Sequence, residues 1–160
     1  MDISYKQSVE ILKEPILHEF IGNEKAFELY VKECLPEIFK NMKLPEIRSI
    51  KQQHQIKVDG IQIRLDLIVQ HIDESMSVIE VKCPNKKHPA TSTVEQMKAI
   101  GQVLLYKSII KSVYGHEPRL FLVDNKIHYR TMLAFSEMKL PITLIELQRN
   151  RVFIPYNVNN

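Results

Sequence analysis

The sequence predicts an α/β fold: a central mixed β-sheet flanked by helices. Three observations lead there. From Ile47 the apolar pattern changes to a period of two, clearest over Ile61 to Val69, the period of a strand whose neighbours face opposite sides. On either side of that region the period lengthens to that of amphipathic helices. A long helical stretch, about 92–114, then separates two short apolar runs, so these runs are expected to be parallel strands joined by a right-handed crossover.

The elements follow in order. Residues 2–13 have the pattern of a short amphipathic helix with Val9, Ile11 and Leu12 on its apolar side, interrupted by Pro15. Asn23 is a good N-cap for a second helix, about 23–42, whose residues Phe27, Tyr30, Val31, Cys34, Leu35, Ile38 and Phe39 fall at helical spacing. Pro36 predicts a break or kink within it. A strand runs from Ile47 to Val58, and Asp59-Gly60 is a two-residue hairpin signal. The return strand alternates most clearly: Ile61, Ile63, Leu65, Leu67 and Val69 against Gln62, Arg64, Asp66 and Gln70. Read as one alternation, it has an apolar and a polar face along its whole length.

Asp73-Glu74-Ser75 is a polar turn into a third strand, 78–83, stopped by Pro84-Asn85. Next come a basic loop, Lys86-Lys87-His88-Pro89, and a capping box, Ser92 to Glu95. The long helix has Met97, Ile100, Leu104, Leu105 and Ile109 as apolar positions and ends at Gly115 and Pro118. A short interior strand at 119–123, a helix at about 127–138, a strand at 142–147 and an edge strand at 152–154 complete the chain. The 160 residues read as one domain, with a helical extension over 1–22 and a core over about 23–154.

Composition narrows the class of function. A chain of 160 residues buries a core without disulfides or structural metal. Cys34 and Cys83, the only cysteines, lack zinc-ligand spacing, which points to a reducing, cytoplasmic setting. The first residues lack the apolar core of a signal peptide, and no apolar run approaches membrane-spanning length. A net charge of +3 permits a nucleic-acid partner without requiring one.

The chemistry concentrates in Asp66 and Glu80-Val81-Lys82. Glu80 and Lys82, two apart on a strand, share a face. Asp66, on the neighbouring strand, joins them only if the intervening loop has an odd length or a bulge; closure by residues 72 and 76 would set it opposite Lys82. Two carboxylates then offer hard oxygen ligands for Mg²⁺ or Mn²⁺, the Val81 carbonyl adds a third, and Lys82 orients a water or offsets phosphate charge. The triplet alone is weak, since Asp124-Asn125-Lys126 and Glu137-Met138-Lys139 match it equally. An apolar strand before Glu80 and an acid on the preceding strand set it apart.

This arrangement resembles the restriction-endonuclease-like superfamily, named for its PD-(D/E)XK motif, with Asp66, Glu80 and Lys82 at the motif positions and Leu65 in place of the proline. Gln102 and Tyr106, four apart on a helix, resemble the Q-x-x-x-Y motif of its exonuclease-like branches. The resemblance covers roughly residues 23–153. It implies an αβββαβ core, dependence on Mg²⁺ or Mn²⁺, and hydrolysis of phosphodiester bonds, with DNA as the expected substrate. It also implies a further metal-binding acid on the first core helix: Glu24 is preferred, with Glu28 and Glu19 as alternatives. Lys86, Lys87 and His88 are candidates for gripping phosphates. A homodimer would give one small domain more surface for holding a duplex. The alternative is a non-catalytic nucleic-acid-binding or assembly module on the same fold.

Overall fold

The computed structural model describes residues 20, 22–83, 93–148 and 153–156. The predicted helix at 2–13, Glu19, the Lys86-Lys87-His88 loop and Ser92 of the capping box lie outside them. The first described helix, α1 (Glu24–Asn41), is capped by Asn23, whose side chain accepts the Ala26 N–H. It continues through Pro36, correcting the expected break. Its stripe of Phe27, Val31, Cys34, Leu35, Ile38 and Phe39 is buried on both sides of the proline, so packing against the sheet holds the two halves in one helix.

Six strands form one sheet in sequence order: β1 (Ile47–Val58), β2 (Ile61–His71), β3 (Met76–Lys82), β4 (Arg119–Asp124), β5 (Ile142–Leu147) and β6 (Phe153–Tyr156). β1, β2 and β3 form an antiparallel meander, β3, β4 and β5 are parallel, and β6 returns antiparallel. The parallel steps carry α2 (Thr93–Tyr114) and α3 (Tyr129–Met138) as crossover helices. The fold is therefore α/β, a mixed sheet flanked by helices, with the αβββαβ order over its first six elements.

The core lies in two layers, one on each side of the sheet. α1 packs on Leu67, Val69, Ile79, Val81, Phe121, Val123, Ile145 and Leu147. α2 and α3 pack on the other face, over Ile68, Val78, Leu120, Leu122 and Leu144. The meander's first turn matches its sequence signal: Asp59 and Gly60 both take positive φ, 49° and 78°, which a two-residue turn between right-twisted strands requires.

The reading of β2 as one uninterrupted alternation fails. Leu67 and Val69 pack under α1, whereas Ile63 and Leu65 belong to the layer under α2. The same exchange occurs across the ladder on β1, where Ile50 packs with the α1 layer and Ile56 with the α2 layer. The switch falls at Gln53 and Asp66. Ladder pairing holds at Gln52 with Leu67 and at His54 with Leu65 but skips the pair between them. Gln53 has φ 51°, a left-handed conformation that a residue with a long side chain rarely adopts. One residue of reversed twist turns the rest of the hairpin over.

Candidate active site

Asp66 and Glu80 are brought together by the β2–β3 turn. His71 N–H donates to the Ser75 carbonyl at 2.9 Å, closing an odd loop of Ile72, Asp73 and Glu74. The resulting register, ending at Leu67 opposite Ile79, sets Asp66 across from Glu80 at the next step. The odd loop is as the sequence required; the partner is Glu80 rather than Lys82. Beyond Leu67 the two backbones no longer pair. In place of a ladder bond, the Asp66 Oδ2 carboxylate oxygen accepts the Val81 N–H at 2.9 Å. The site thus occupies the point where β2 and β3 part, and Asp66 bridges the opening.

Glu80 and Lys82 stand on the Val78 side of β3, toward α2. Lys82 Nζ lies 3.1 Å from Glu80 Oε1. Glu80 is only 3% exposed, and its other oxygen, Oε2, is buried without a hydrogen-bond partner among the described residues. Burial, with the Asp66 charge adding to it, pushes the Glu80 pKa up to about 7, against the opposing pull of Lys82. Burial disfavours the Lys82 ammonium, but Glu80, Glu24 and Asp66 together outweigh it and raise the Lys82 pKa. Neighbouring carboxylate charge contributes to both shifts, adding to burial at Glu80 and overcoming it at Lys82.

Two glutamates of α1 reach this pocket. Glu24 is exposed at the helix start, and its pKa is raised by partial burial, pulled down by Lys82 and pushed up by Asp66 and Glu28. Glu28, the second choice from sequence, is the buried one at 4% exposure. It joins the site through a residue that the sequence did not mark. The Gln53 side-chain amide donates from Nε2 to Glu28 Oε2 at 2.7 Å and to Asp66 Oδ1 at 3.3 Å. Glu28 Oε1 is buried and unpartnered among the described residues. A signal was present for Glu28, which sits in phase with Val31 and Leu35 on the apolar stripe. None was present for Gln53, whose role follows from its backbone conformation.

The helix pair divides. Tyr106 is buried, and its hydroxyl donates to the Arg64 carbonyl at 3.2 Å. Burial, Glu80 and Asp66 push its pKa up to about 12. It therefore ties α2 to β2 beside the carboxylates as a neutral phenol. Gln102, one turn earlier, is exposed. Val81 is buried by its side chain, so only its backbone reaches the site.

A second set of acids lies one row on. Lys82, Asp124 and Glu146 are in register across β3, β4 and β5. Asp124 and Glu146 are buried, but they are committed to the 125–128 loop. The Gln96 amide donates to Asp124 Oδ2 at 3.0 Å and to the Lys126 carbonyl at 2.8 Å, while its oxygen accepts the His128 N–H at 3.0 Å. Glu146 Oε1 accepts the Ile127 N–H at 2.9 Å. The Asp124-Asn125-Lys126 triplet is thus the hydrogen-bonded end of β4, without the opening found at Glu80.

Among the described residues no group of three or more His, Cys, Asp or Glu side chains is placed to hold a metal ion. Two carboxylates beside an opening suit a cation that keeps several waters and takes the rest of its ligands from a phosphate. The orphaned Glu80 and Glu28 oxygens and the excess of negative charge are both features a divalent cation would relieve.

No protein-family model matches the chain, and no match was found among curated proteins. Among solved structures the chain is similar to Can2 from Sulfobacillus thermosulfidooxidans, solved in complex with cyclic tetra-adenylate, at 18% identity and a TM-score of 0.53. The match covers 78% of this chain and 32% of that one. A repair endonuclease from Pyrococcus abyssi aligns at 19% identity and a TM-score of 0.46, over 73% of this chain and 46% of that one. The chain thus spans less than half of either protein. At such identity the likeness to Can2 is one of fold.

Proposed function

We propose that this chain is a metal-dependent nuclease of the PD-(D/E)XK type that hydrolyses phosphodiester bonds in DNA. The observation that carries this reading is the convergence of Asp66, Glu80 and Lys82 where β2 and β3 part, with one Glu80 oxygen buried and unpartnered. The αβββαβ order of elements supports it.

In this reading Asp66 and Glu80 hold Mg²⁺ or Mn²⁺, with the Val81 carbonyl and an α1 glutamate, Glu24 or Glu28, as further oxygen donors. The cation, when bound, acidifies a water and neutralises phosphate charge. Lys82, kept cationic by the surrounding carboxylates, holds the attacking water in place and offsets charge building on the phosphate. The Val81 N–H and the Gln53 amide each hold one Asp66 oxygen and together orient the carboxylate. Tyr106 and Gln102 position the site from α2, and Lys86, Lys87 and His88 grip flanking phosphates.

The test is an assay of purified protein with Mn²⁺, Mg²⁺ or EDTA against linear, circular, single-stranded and branched DNA. Asp66→Asn, Glu80→Gln and Lys82→Ala should each abolish cleavage while circular dichroism stays that of the parent. Full activity in Glu80→Gln refutes the assignment. The absence of such a group of three among the described residues favours, as a second reading, a non-catalytic nucleic-acid-binding or assembly module. A Mn²⁺ titration separates the two, because only the nuclease requires saturable binding that Glu80→Gln abolishes.

A further inference from the structure

The face switch at Gln53 and Asp66 has a second product. Past Asp66, β2 no longer pairs with β3, yet β1–β2 pairing continues to Val58 opposite Ile61. Residues 54–65 therefore form a two-stranded ribbon that runs out from the carboxylate site. Its inner face carries Ile56, Val58, Ile63 and Leu65 against the α2 layer. His54 to the Tyr114 hydroxyl (3.3 Å) and Tyr106 to the Arg64 carbonyl (3.2 Å) fasten it there. Its outer face consists of the cross-strand pairs Gln55 with Arg64 and Lys57 with Gln62. All four are exposed, and Gln62 Nε2 donates to Gln55 Oε1 at 2.5 Å. Every one of these side chains offers N–H donors, and none is a carboxylate. The ribbon's single acid, Asp59, is in the turn. Ile61 at the tip is 68% exposed, an unusual place for a large apolar side chain.

We infer that this outer face docks in the major groove of duplex DNA and holds the duplex against the Asp66–Glu80 site. The inference rests on the nuclease reading for the identity of the ligand, and on the ribbon's own chemistry for the location. A two-stranded ribbon fits the B-form major groove, where Arg and Gln side chains pair with base edges and Lys meets phosphate. The deep, narrow major groove of duplex RNA excludes it. Ile61 lies five positions along the strand from Asp66, so the ribbon reaches ~17 Å from the carboxylates, roughly five base pairs. Charge complementarity comes from Lys57 and Arg64 at the approach to a site that would otherwise repel a polyanion.

The experiment measures binding of a labelled DNA duplex by fluorescence anisotropy across a salt series, using the full chain carrying Glu80→Gln so that the duplex stays intact. Lys57→Ala should weaken binding and reduce the slope of log affinity against log salt by about 1. Gln62→Ala should weaken binding roughly fivefold or more with the slope unchanged, as loss of an uncharged base contact requires. Thermal unfolding should be unchanged in both, because both side chains are exposed. Parent-like affinity and slope in both variants overturn the inference, and so does duplex RNA binding as tightly as duplex DNA. Should the parent cut DNA while both variants bind as it does, the ribbon inference falls and the nuclease reading stands. Should both variants lose binding while the parent cuts nothing with Mn²⁺, the nuclease reading falls and the ribbon inference stands.

Discussion

Replacing Glu80 with glutamine should make the metal-free protein more stable, in a pH-dependent way. Glu80 titrates near 7 in the folded chain because it is buried beside Asp66, against 4.5 as its ordinary value. Between those pH values the folded state keeps a proton that the unfolded chain has released. The folded state binds more protons there, so stability falls as pH rises through that window and stays reduced above it. At ~1.4 kcal/mol for each tenfold change in acidity, the displacement corresponds to about 3 kcal/mol at pH 8. Glutamine imitates the protonated acid in shape and keeps an oxygen for Lys82, so Glu80→Gln recovers that energy at pH 8 and nothing near pH 4. Urea unfolding in EDTA measures it. With a slope of about 2 kcal/mol/M, the midpoint should rise by roughly 1.5 M at pH 8, the difference shrinking steadily toward pH 4.5. A variant no more stable than the parent at pH 8, or equally stabilised at both ends, would refute the claim that crowded carboxylate charge sits unrelieved in this pocket.

Other outcomes follow from the same geometry. Mn²⁺ should raise the unfolding temperature of the parent more at pH 8 than at pH 6, because the cation displaces the Glu80 proton; at a hundredfold excess over Kd the gain is about 2.7 kcal/mol, and Asp66→Asn should lose it in a thermal-shift titration. Gln53→Gly should be more stable than Gln53→Ala by about 1 kcal/mol in chemical denaturation, because both lose the bridge to Glu28 and Asp66 but only glycine accepts φ 51° freely. Gln96→Ala strips one donor and one acceptor from the 125–128 loop and leaves the buried Asp124 carboxylate with one partner fewer, so it should cost about 2–4 kcal/mol by denaturant unfolding. That loss should come with metal binding intact, since Gln96 is bonded to the row beyond the Glu80 pocket.

The legible parts of this fold are those that local chemistry decides. Asp59-Gly60 specifies a turn with two positive φ angles wherever it is placed, and the turn is there. The period-two pattern and the long intervening helix specify meander, crossover and parallel strands, and the sheet has them. The Asp66–Glu80 pairing was legible as a condition on loop parity, which the turn closed by His71 and Ser75 meets. Where sequence reading failed, tertiary packing had decided. Pro36 ends an isolated helix, but here buried side chains before and after it keep α1 one continuous helix. The single polar face expected along β2 was wrong because a strand's alternation is read relative to its neighbour, and one left-handed residue on β1 resets it for both. Glu28 was harder to prefer over Glu24, since both share a helix face and differ in depth alone.

The position of Gln53 unites these observations. A strand that kept its twist would carry the polar side of β2 along one face of the sheet, under α1 or under α2 but not both. By reversing there, the hairpin sets Asp66 where Gln53 links it to Glu28 on one side and where its charge acts on Glu80 and Tyr106 on the other. Acids from α1, β2 and β3 can then share one opening although their elements occupy different layers. The same reversal frees the rest of the hairpin from β3 and turns Gln55, Lys57, Gln62 and Arg64 outward. Strain at one backbone position, held by hydrogen bonds to two carboxylates, therefore sets both the concentration of negative charge and the donor-rich surface beside it. The two should fail together: a change that restores regular twist at residue 53 should relax the pocket and re-aim the ribbon in a single step.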